Sequence, residues 1–243
     1  MIKSEFKPRY YEFTSGDILP LHILCNYFQQ AAAADAHNLS FGHEDLSDKG
    51  IAWVLTRIQI DVVSEAALGK TLVVETWHAH SEKAVSRREF IITDADGKTI
   101  IKGSTWWVLL NLNTRRITRM PASLIALNEE NPRYMTEETE FKNNIYDGAA
   151  PVSEKIFLTR EEDIDTNMHV NNTHYLAWAM ETMPKEIRAA KKLKTAKLSF
   201  KNECADGEKI TGRVYKDAEN SYTHILTRQS DGKEVFRLAS DWN

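Results

Sequence analysis

Asn171-Asn172-Thr173-His174-Tyr175-Leu176-Ala177-Trp178-Ala179-Met180-Glu181-Thr182-Met183-Pro184 is the stretch from which the fold is read. Tyr175, Leu176, Ala179, Met180 and Met183 recur at helical spacing, which predicts a helix over 172–183 with one apolar face. Asn171 or Asn172 supplies the N-cap, because a short amide side chain accepts from the free N–H groups of a first turn. Pro184 supplies the stop. Four strand-like runs follow, over 195–204, 208–216, 222–229 and 234–241. Asp231-Gly232 between the last two marks a hairpin turn.

Read backwards from that helix, the chain shows the same order once before. Cys25-Asn26-Tyr27-Phe28 aligns with Thr173-His174-Tyr175-Leu176 at an offset of 148, in a stretch whose alanines through Ala36 also predict a helix. Leu55-Thr56-Arg57-Ile58-Gln59-Ile60 resembles Thr195-Ala196-Lys197-Leu198-Ser199-Phe200 at an offset of 140. Asp96-Gly97-Lys98 recurs as Asp231-Gly232-Lys233, and Trp107 falls on Trp242, both at 135. The first copy carries predicted strands over 52–63, 71–80, 86–93 and 99–112. Matches in one order indicate a degenerate duplication, and the falling offset gives the second copy shorter loops and strands. One helix followed by hairpin-linked strands, twice, is an α+β pattern with antiparallel sheets. The expected organisation is an N-terminal unit over 1–127, a polar linker with a short helix over 128–150, and a C-terminal unit over 151–243.

Composition narrows the function classes. The 243 residues are 42% hydrophobic and 27% charged, too apolar for a disordered chain. Lys+Arg 31 against Asp+Glu 35 gives a formal charge of −4, which argues against a general nucleic-acid binder. No apolar run reaches the ~20 residues of a membrane span. The first residues are too charged for a signal peptide. Cys25 and Cys204 form no CxxC pair and are expected free, in a reducing cytoplasmic setting. No Walker, GxGxxG, GxSxG or HExxH pattern occurs. His78 and His80 alternate on a predicted strand without a third ligand, so they read as exposed histidines, and no metal or cofactor is expected.

The densest polar cluster precedes the second helix: Asp165-Thr166-Asn167-Met168-His169-Val170-Asn171-Asn172. Such residues can be mere turn and cap formers. If extended, the segment would point Asp165, Asn167 and His169 the same way, beside a helix N-terminus whose amides suit a developing oxyanion. At an offset of 148 Asn167 and His169 fall on Leu19 and Leu21; at 140 Glu203 and Cys204 fall on Val63 and Ser64. The aliphatic residues of the first copy suggest one active half, and a first half that packs or lines an apolar cavity.

This eight-residue stretch, with Tyr175 and Trp178 after it, resembles the D-x-N-x-H-V-N-N signature of the acyl-acyl-carrier-protein thioesterases. Asn202-Glu203-Cys204 is similar to that family's Glu-Cys pair. The likeness runs over the whole chain and implies a tandem hot-dog fold, each half a helix wrapped by an antiparallel sheet. The chain looks like a bacterial member, without the transit extension of plant members. The resemblance implies hydrolysis of fatty acyl thioesters on carrier-protein phosphopantetheine, with Asp165, Asn167, His169 and Glu203 catalytic. Glu203 or His169 would activate water. Asn167 or a helix amide would hold the oxyanion or position the water, and Asp165 would orient His169 or Asn167. Cys204 offers a rival acyl-enzyme route; on a regular strand it and Glu203 face opposite ways, and Glu203 with direct water attack is preferred. An acyl-CoA thioesterase and a non-catalytic acyl-thioester binder are the alternatives.

Two basic clusters stand out, Arg115, Arg116 and Arg119, and a run of Arg188, Lys191, Lys192, Lys194 and Lys197. The second is read as a docking surface for an acidic carrier protein. The paired units suit a monomer as well as a homodimer.

Overall fold

The computed structural model describes residues 1–129, 132–137, 141 and 144–243. The chain divides into two compact units, Met1–Glu137 and Glu138–Asn243. In unit one the elements are β1 (Ile2–Phe6), α1 (Leu21–Asn38), α2 (His43–Ser47), β2 (Ile51–Val62), β3 (Leu72–Glu82), β4 (Val85–Asp94), β5 (Thr99–Asn111), β6 (Arg116–Thr118) and α3 (Ala122–Ile125). In unit two they are β7 (Ser153–Leu158), α4 (Asn172–Thr182), α5 (Lys185–Ala190), β8 (Leu193–Phe200), β9 (Lys209–Lys216), β10 (Ser221–Arg228) and β11 (Glu234–Trp242). The strand order is β1-β3-β4-β5-β2 with β6 on β5 in the first, and β7-β9-β10-β11-β8 in the second. The pairings within each are antiparallel. Each unit is therefore a helix on an antiparallel sheet, the α+β hot-dog arrangement expected twice over.

The helices lie close on their sheets because a glycine sits beneath each. A Cβ on Gly103 would come within 2.7 Å of the Phe28 ring, and one on Gly212 within 2.5 Å of Thr182 Oγ1. In unit one Phe28 of α1 stacks on Phe90 of β4 with centroids 4.2 Å apart. Beside them Arg88 reaches Asp35 of α1 at 2.6 Å, a buried ion pair inside the helix–sheet interface. In unit two α4 buries Tyr175, Leu176, Trp178, Ala179 and Thr182. The Asp-Gly hairpins are present, with Gly97 at φ 83° and Gly232 at φ 69°, the left-handed region that glycine tolerates.

Four features depart from the sequence reading. β8 stops at Phe200 and does not reach Cys204. There the amides of Lys201 and Asn202 both donate to Val235 O, at 2.9 and 3.3 Å, and the chain leaves the ladder. β1, β6, β7, α2, α3 and α5 are additional elements. His78 is buried rather than exposed, its Nε2 at 2.9 Å from Ser81 Oγ. Residues 132–137, read as linker, pack on unit one: Met135 N–H donates to Glu89 at 2.7 Å and Arg87 donates to Thr136 O at 2.6 Å. They contain no helix; part of the predicted linker helix, at 130, 131, 138–140, 142 and 143, lies outside the described residues.

His224 of β10 is fully buried and ties the sheet to α4. Its Nδ1–H donates to Ala179 O at 2.8 Å, and its Nε2 lies 2.9 Å from Ser240 Oγ. Burial pushes its pKa from 6.5 down to about 4, so the native ring is neutral. Unfolded His224 takes a proton below pH ~6.5, whereas the native ring resists until near pH 4. Stability is therefore lost as pH falls through that window, by at most roughly 3 kcal/mol from this residue. His78, also lowered to about 4 by burial, acts in the same direction. Urea unfolding at pH 7 and pH 4.5 is expected to show this loss, and His224→Leu to flatten the slope. An unchanged slope in that variant would remove His224 as its source.

Candidate active site

The cluster Asp165–His169 forms a turn, not an extended segment. An isolated bridge between Ile164 and Val170 closes it. Inside it Asp165 N–H donates to His169 O at 2.8 Å and Met168 N–H to Asp165 O at 2.9 Å. Met168 stands at φ 63° and is solvent-exposed. Asp165 Oδ1 accepts from Asn167 N–H at 2.8 Å, an Asx turn in which the carboxylate fixes the loop. Asp165 thus shapes the turn and positions Asn167 by its main chain; no contact of its carboxylate with the His169 ring is found among the described residues.

The turn runs straight into α4. Asn171 is the N-cap, its Oδ1 accepting from Thr173 N–H at 3.0 Å and from Thr173 Oγ1 at 2.9 Å. The His174 amide donates to Asn171 O at 3.0 Å. These two helix amides are therefore engaged, which corrects the expectation of a helix-terminal oxyanion donor at those positions. The exposed side chain of Asn167 has no hydrogen-bond partner among the described residues and is available to an incoming oxygen.

Glu203 comes to the turn from a different stretch of chain, the loop after β8. One main-chain bond joins the two: Val170 N–H donates to Cys204 O at 3.0 Å. Next to it, His169 Nε2 lies 3.0 Å from Glu203 Oε2. Both side chains are part-exposed, at 36% and 42%, so water reaches the pair. Glu203 lies beyond the end of β8, so strand alternation does not set the direction of its side chain. Glu203 and Cys204 still diverge, one outward and one inward. Cys204 is only 1% exposed, and burial pushes its thiol up to about 11. A thiol in that state is a poor nucleophile near neutrality.

Unit one shows what is special about this arrangement. Val63 and Ser64 N–H both donate to Ile100 O, at 2.9 and 3.1 Å, as Lys201 and Asn202 do to Val235 O. The structural offset there is therefore 138, and Glu203 and Cys204 correspond to Glu65 and Ala66, not to Val63 and Ser64. Glu65 is exposed and Ala66 buried, as in unit two. Arg9 N–H on Glu12 at 2.5 Å likewise mirrors Arg160 N–H on Asp163 at 2.8 Å. The turns differ: the bridge Thr14–Ile18 encloses three residues, and Ile164–Val170 encloses five. The longer loop carries Asn167 and His169, so Leu19 and Leu21 are not their structural counterparts. The contrast between the halves lies in the turn and at Cys204 against Ala66, while the acid position is shared.

The basic run is partly committed to the fold. Arg188 Nε donates to Met183 O at 3.2 Å and its Nη2 lies 3.5 Å from Glu181. Lys191 Nζ donates to Glu219 O at 3.2 Å and to Asn220 Oδ1. Lys192 and Lys194 are exposed. Among the described residues no cluster of His, Cys, Asp or Glu could hold a metal ion, and both cysteines are free. No helix among them is long and apolar enough to cross a membrane.

Removing the Glu203 carboxylate is expected to abolish catalysis almost entirely. A folded Glu203→Ala protein should lose at least ~10²-fold in kcat, within the range of general-base contributions, while Cys204→Ala keeps most of it. Near-complete loss in a folded Cys204→Ala protein, or an acyl-cysteine found by mass spectrometry, would reverse that assignment.

Comparison with known proteins gives concordant matches. A model described as "Acyl-ACP thioesterase N-terminal domain" matches residues 1–127, and "Acyl-ACP thioesterase C-terminal domain" matches 149–243. The chain is 28% identical over 266 residues to a chloroplastic palmitoyl-acyl carrier protein thioesterase of Arabidopsis thaliana, covering 100% of this chain and 64% of that protein. It is 24% identical over 283 residues to oleoyl-acyl carrier protein thioesterase 2 of the same plant, covering 99% and 76%. The chain thus spans a little under two thirds of the palmitoyl relative's length. Among solved structures, an acyl-ACP thioesterase from Bacteroides thetaiotaomicron superimposes with a TM-score of 0.87 at 22% identity, covering 99% of this chain and 97% of that one. The 12:0-ACP thioesterase from Umbellularia californica gives 0.88 at 24%, covering 100% and 96%. At these identities the likeness establishes the fold.

Proposed function

Since the chain belongs to the acyl-ACP thioesterase family, two of whose domain models together match most of its length, we propose that it hydrolyses the thioester of fatty acyl carrier protein, releasing free fatty acid and holo-carrier protein. The observation that carries this reading is the His169–Glu203 contact of 3.0 Å, built on the family's motif and open to water. Asp165, Asn167, His169 and Glu203 form the proposed site. The plant relatives bear names that state this reaction for palmitoyl and oleoyl substrates.

The chemistry follows from the residues. His169 Nε2–H orients the Glu203 carboxylate, which removes a proton from a water molecule as its oxygen attacks the thioester carbon. The Asn167 carboxamide donates to the carbonyl oxygen as negative charge gathers there, an effect that one such donor raises by ~10²–10³ in rate. The C–S bond then breaks, and the departing sulfur takes the proton from Glu203. A free thiol has a pKa of about 8.5, so this leaving group needs little acid assistance. No acyl-enzyme is required, consistent with the buried Cys204 thiol. The two free cysteines fit a reducing, cytoplasmic setting.

The partner is an acidic carrier protein bearing the acyl chain on phosphopantetheine, docking on the cationic run of Arg188, Lys191, Lys192 and Lys194. Lys192 and Lys194 are chosen as probes because both are exposed. Initial rates on acyl-carrier protein and acyl-CoA of matched chain length test the reading. A higher kcat/KM on the carrier-bound substrate is expected, and a higher value on acyl-CoA would replace carrier protein with CoA. Lys192→Glu with Lys194→Glu should raise KM several-fold for carrier-bound substrate and leave a short thioester analogue unaffected, in the manner of electrostatic steering. Equal effects on both substrates would exclude docking at this face.

A further inference from the structure

We propose that Tyr175 and Arg228 are positioning residues for Glu203, acting through the main chain of the Glu203–Cys204 segment. The proposal rests on the hydrolytic reading of the site and names what holds its base in place.

Glu203 lies in a loop, and its side chain is 42% exposed, so packing does not fix the carboxylate. Its backbone is held instead. Cys204 N–H donates to the Tyr175 hydroxyl at 2.9 Å. The Cys204 carbonyl accepts from Val170 N–H at 3.0 Å. Both polar groups of one peptide residue are thus committed, one to α4 and one to the residue after His169. Tyr175 is a firm anchor: it is 3% exposed and its ring meets Trp178 edge-on at 5.7 Å, Phe236 at 6.0 Å and Phe200 at 6.3 Å.

Arg228 holds the other side of the segment. Its Nη1 donates to Glu203 O at 2.6 Å. The guanidinium is itself clamped by Asp231, Nε to Oδ1 at 3.0 Å and Nη2 to Oδ2 at 2.8 Å. The β10–β11 hairpin therefore grips the backbone of Glu203 through a planar, two-toothed ion pair, a geometry that Lys reproduces only in part. Fixing both ends of one peptide sets where the carboxylate can reach, and a base displaced by 1 Å can cost ~10²-fold in rate. This also explains a small buried residue at 204: the position works through its amide and carbonyl, and the side chain needs only to fit beneath.

Kinetics on four variants test this. Tyr175→Phe keeps the ring packing and deletes the acceptor; kcat is expected to fall roughly 10- to 100-fold with KM unchanged. Arg228→Gln should lower kcat with KM unchanged, and Arg228→Lys should recover part of the loss. Tyr27→Phe is the control, deleting a hydroxyl on α1 that donates to Glu12 at 3.0 Å; its kcat should match wild type. Melting temperatures and near-ultraviolet circular dichroism establish that each variant is folded, and a Tyr175→Phe protein that fails to fold leaves the Arg228 pair to decide. Wild-type kcat in folded Tyr175→Phe or Arg228→Gln overturns the role of that residue. A change confined to KM, or an equal fall in Tyr27→Phe, overturns the proposal as a whole. A wild-type protein that hydrolyses no acyl thioester overturns the functional reading beneath it instead.

Discussion

The hydrogen bond from Val170 N–H to Cys204 O, 3.0 Å long, is the constraint on which the candidate site depends. It joins the loop before α4 to the loop after β8, so His169 and Glu203 become neighbours by adjacency to bonded residues. The other local features serve that joint. The Ile164–Val170 bridge and the Asp165 Asx turn fix the shape of one loop. The paired amides on Val235 O release the other from its strand at a defined point. Asn171 starts α4 immediately afterwards, which places Tyr175 one turn on and within reach of Cys204 N–H. A half-exposed pair of polar side chains would otherwise be free to wander, since exposed ion pairs contribute only ~0–1 kcal/mol of their own.

The duplication shows how little separates a scaffold from a site. Both units lay a helix on a sheet over a glycine, both cap a short turn with an acid, and both end a strand on a shared carbonyl. Both even present a glutamate at the same exposed position, Glu65 and Glu203. The second unit adds two residues to one turn, and with them the loop that bears Asn167 and His169. A single loop can acquire chemistry without disturbing the core, because loops tolerate insertion far better than packed elements do.

Much of this was legible in the residues. Strand-like runs and Asp-Gly turns located the long strands, and the spacing of Tyr175, Leu176, Ala179 and Met180 located α4. A cap at Asn171 or Asn172 was readable from their short amide side chains, and the structure uses Asn171. The strands that escaped reading are marginal by nature: β7, Ser153–Leu158, is an edge strand with much of its length exposed, and β6 has three residues. Edge strands carry charge for protection and so lose the alternating signal. The turn geometry was hidden for another reason. Asp165, Asn167 and His169 alternate as a strand would, but Met168 takes a left-handed conformation set by tertiary closure rather than by its own preference. The same holds for the end of β8, where apolar alternation simply stops and the carbonyl of Val235, distant in sequence, decides where the chain departs.

Treating His169 and Glu203 as one proton-accepting unit has a direct consequence for energetics. Residues that work together in a single step are not additive, since removing either disables the step. The decisive measurement is a double-mutant cycle on kcat/KM with His169→Ala, Glu203→Ala and the combined variant, all shown to be folded. Strong coupling is expected, with the double variant no slower than the worse single variant. Additive losses, each deepening the other in full, would mean that the two side chains act separately and that their contact of 3.0 Å has no catalytic role.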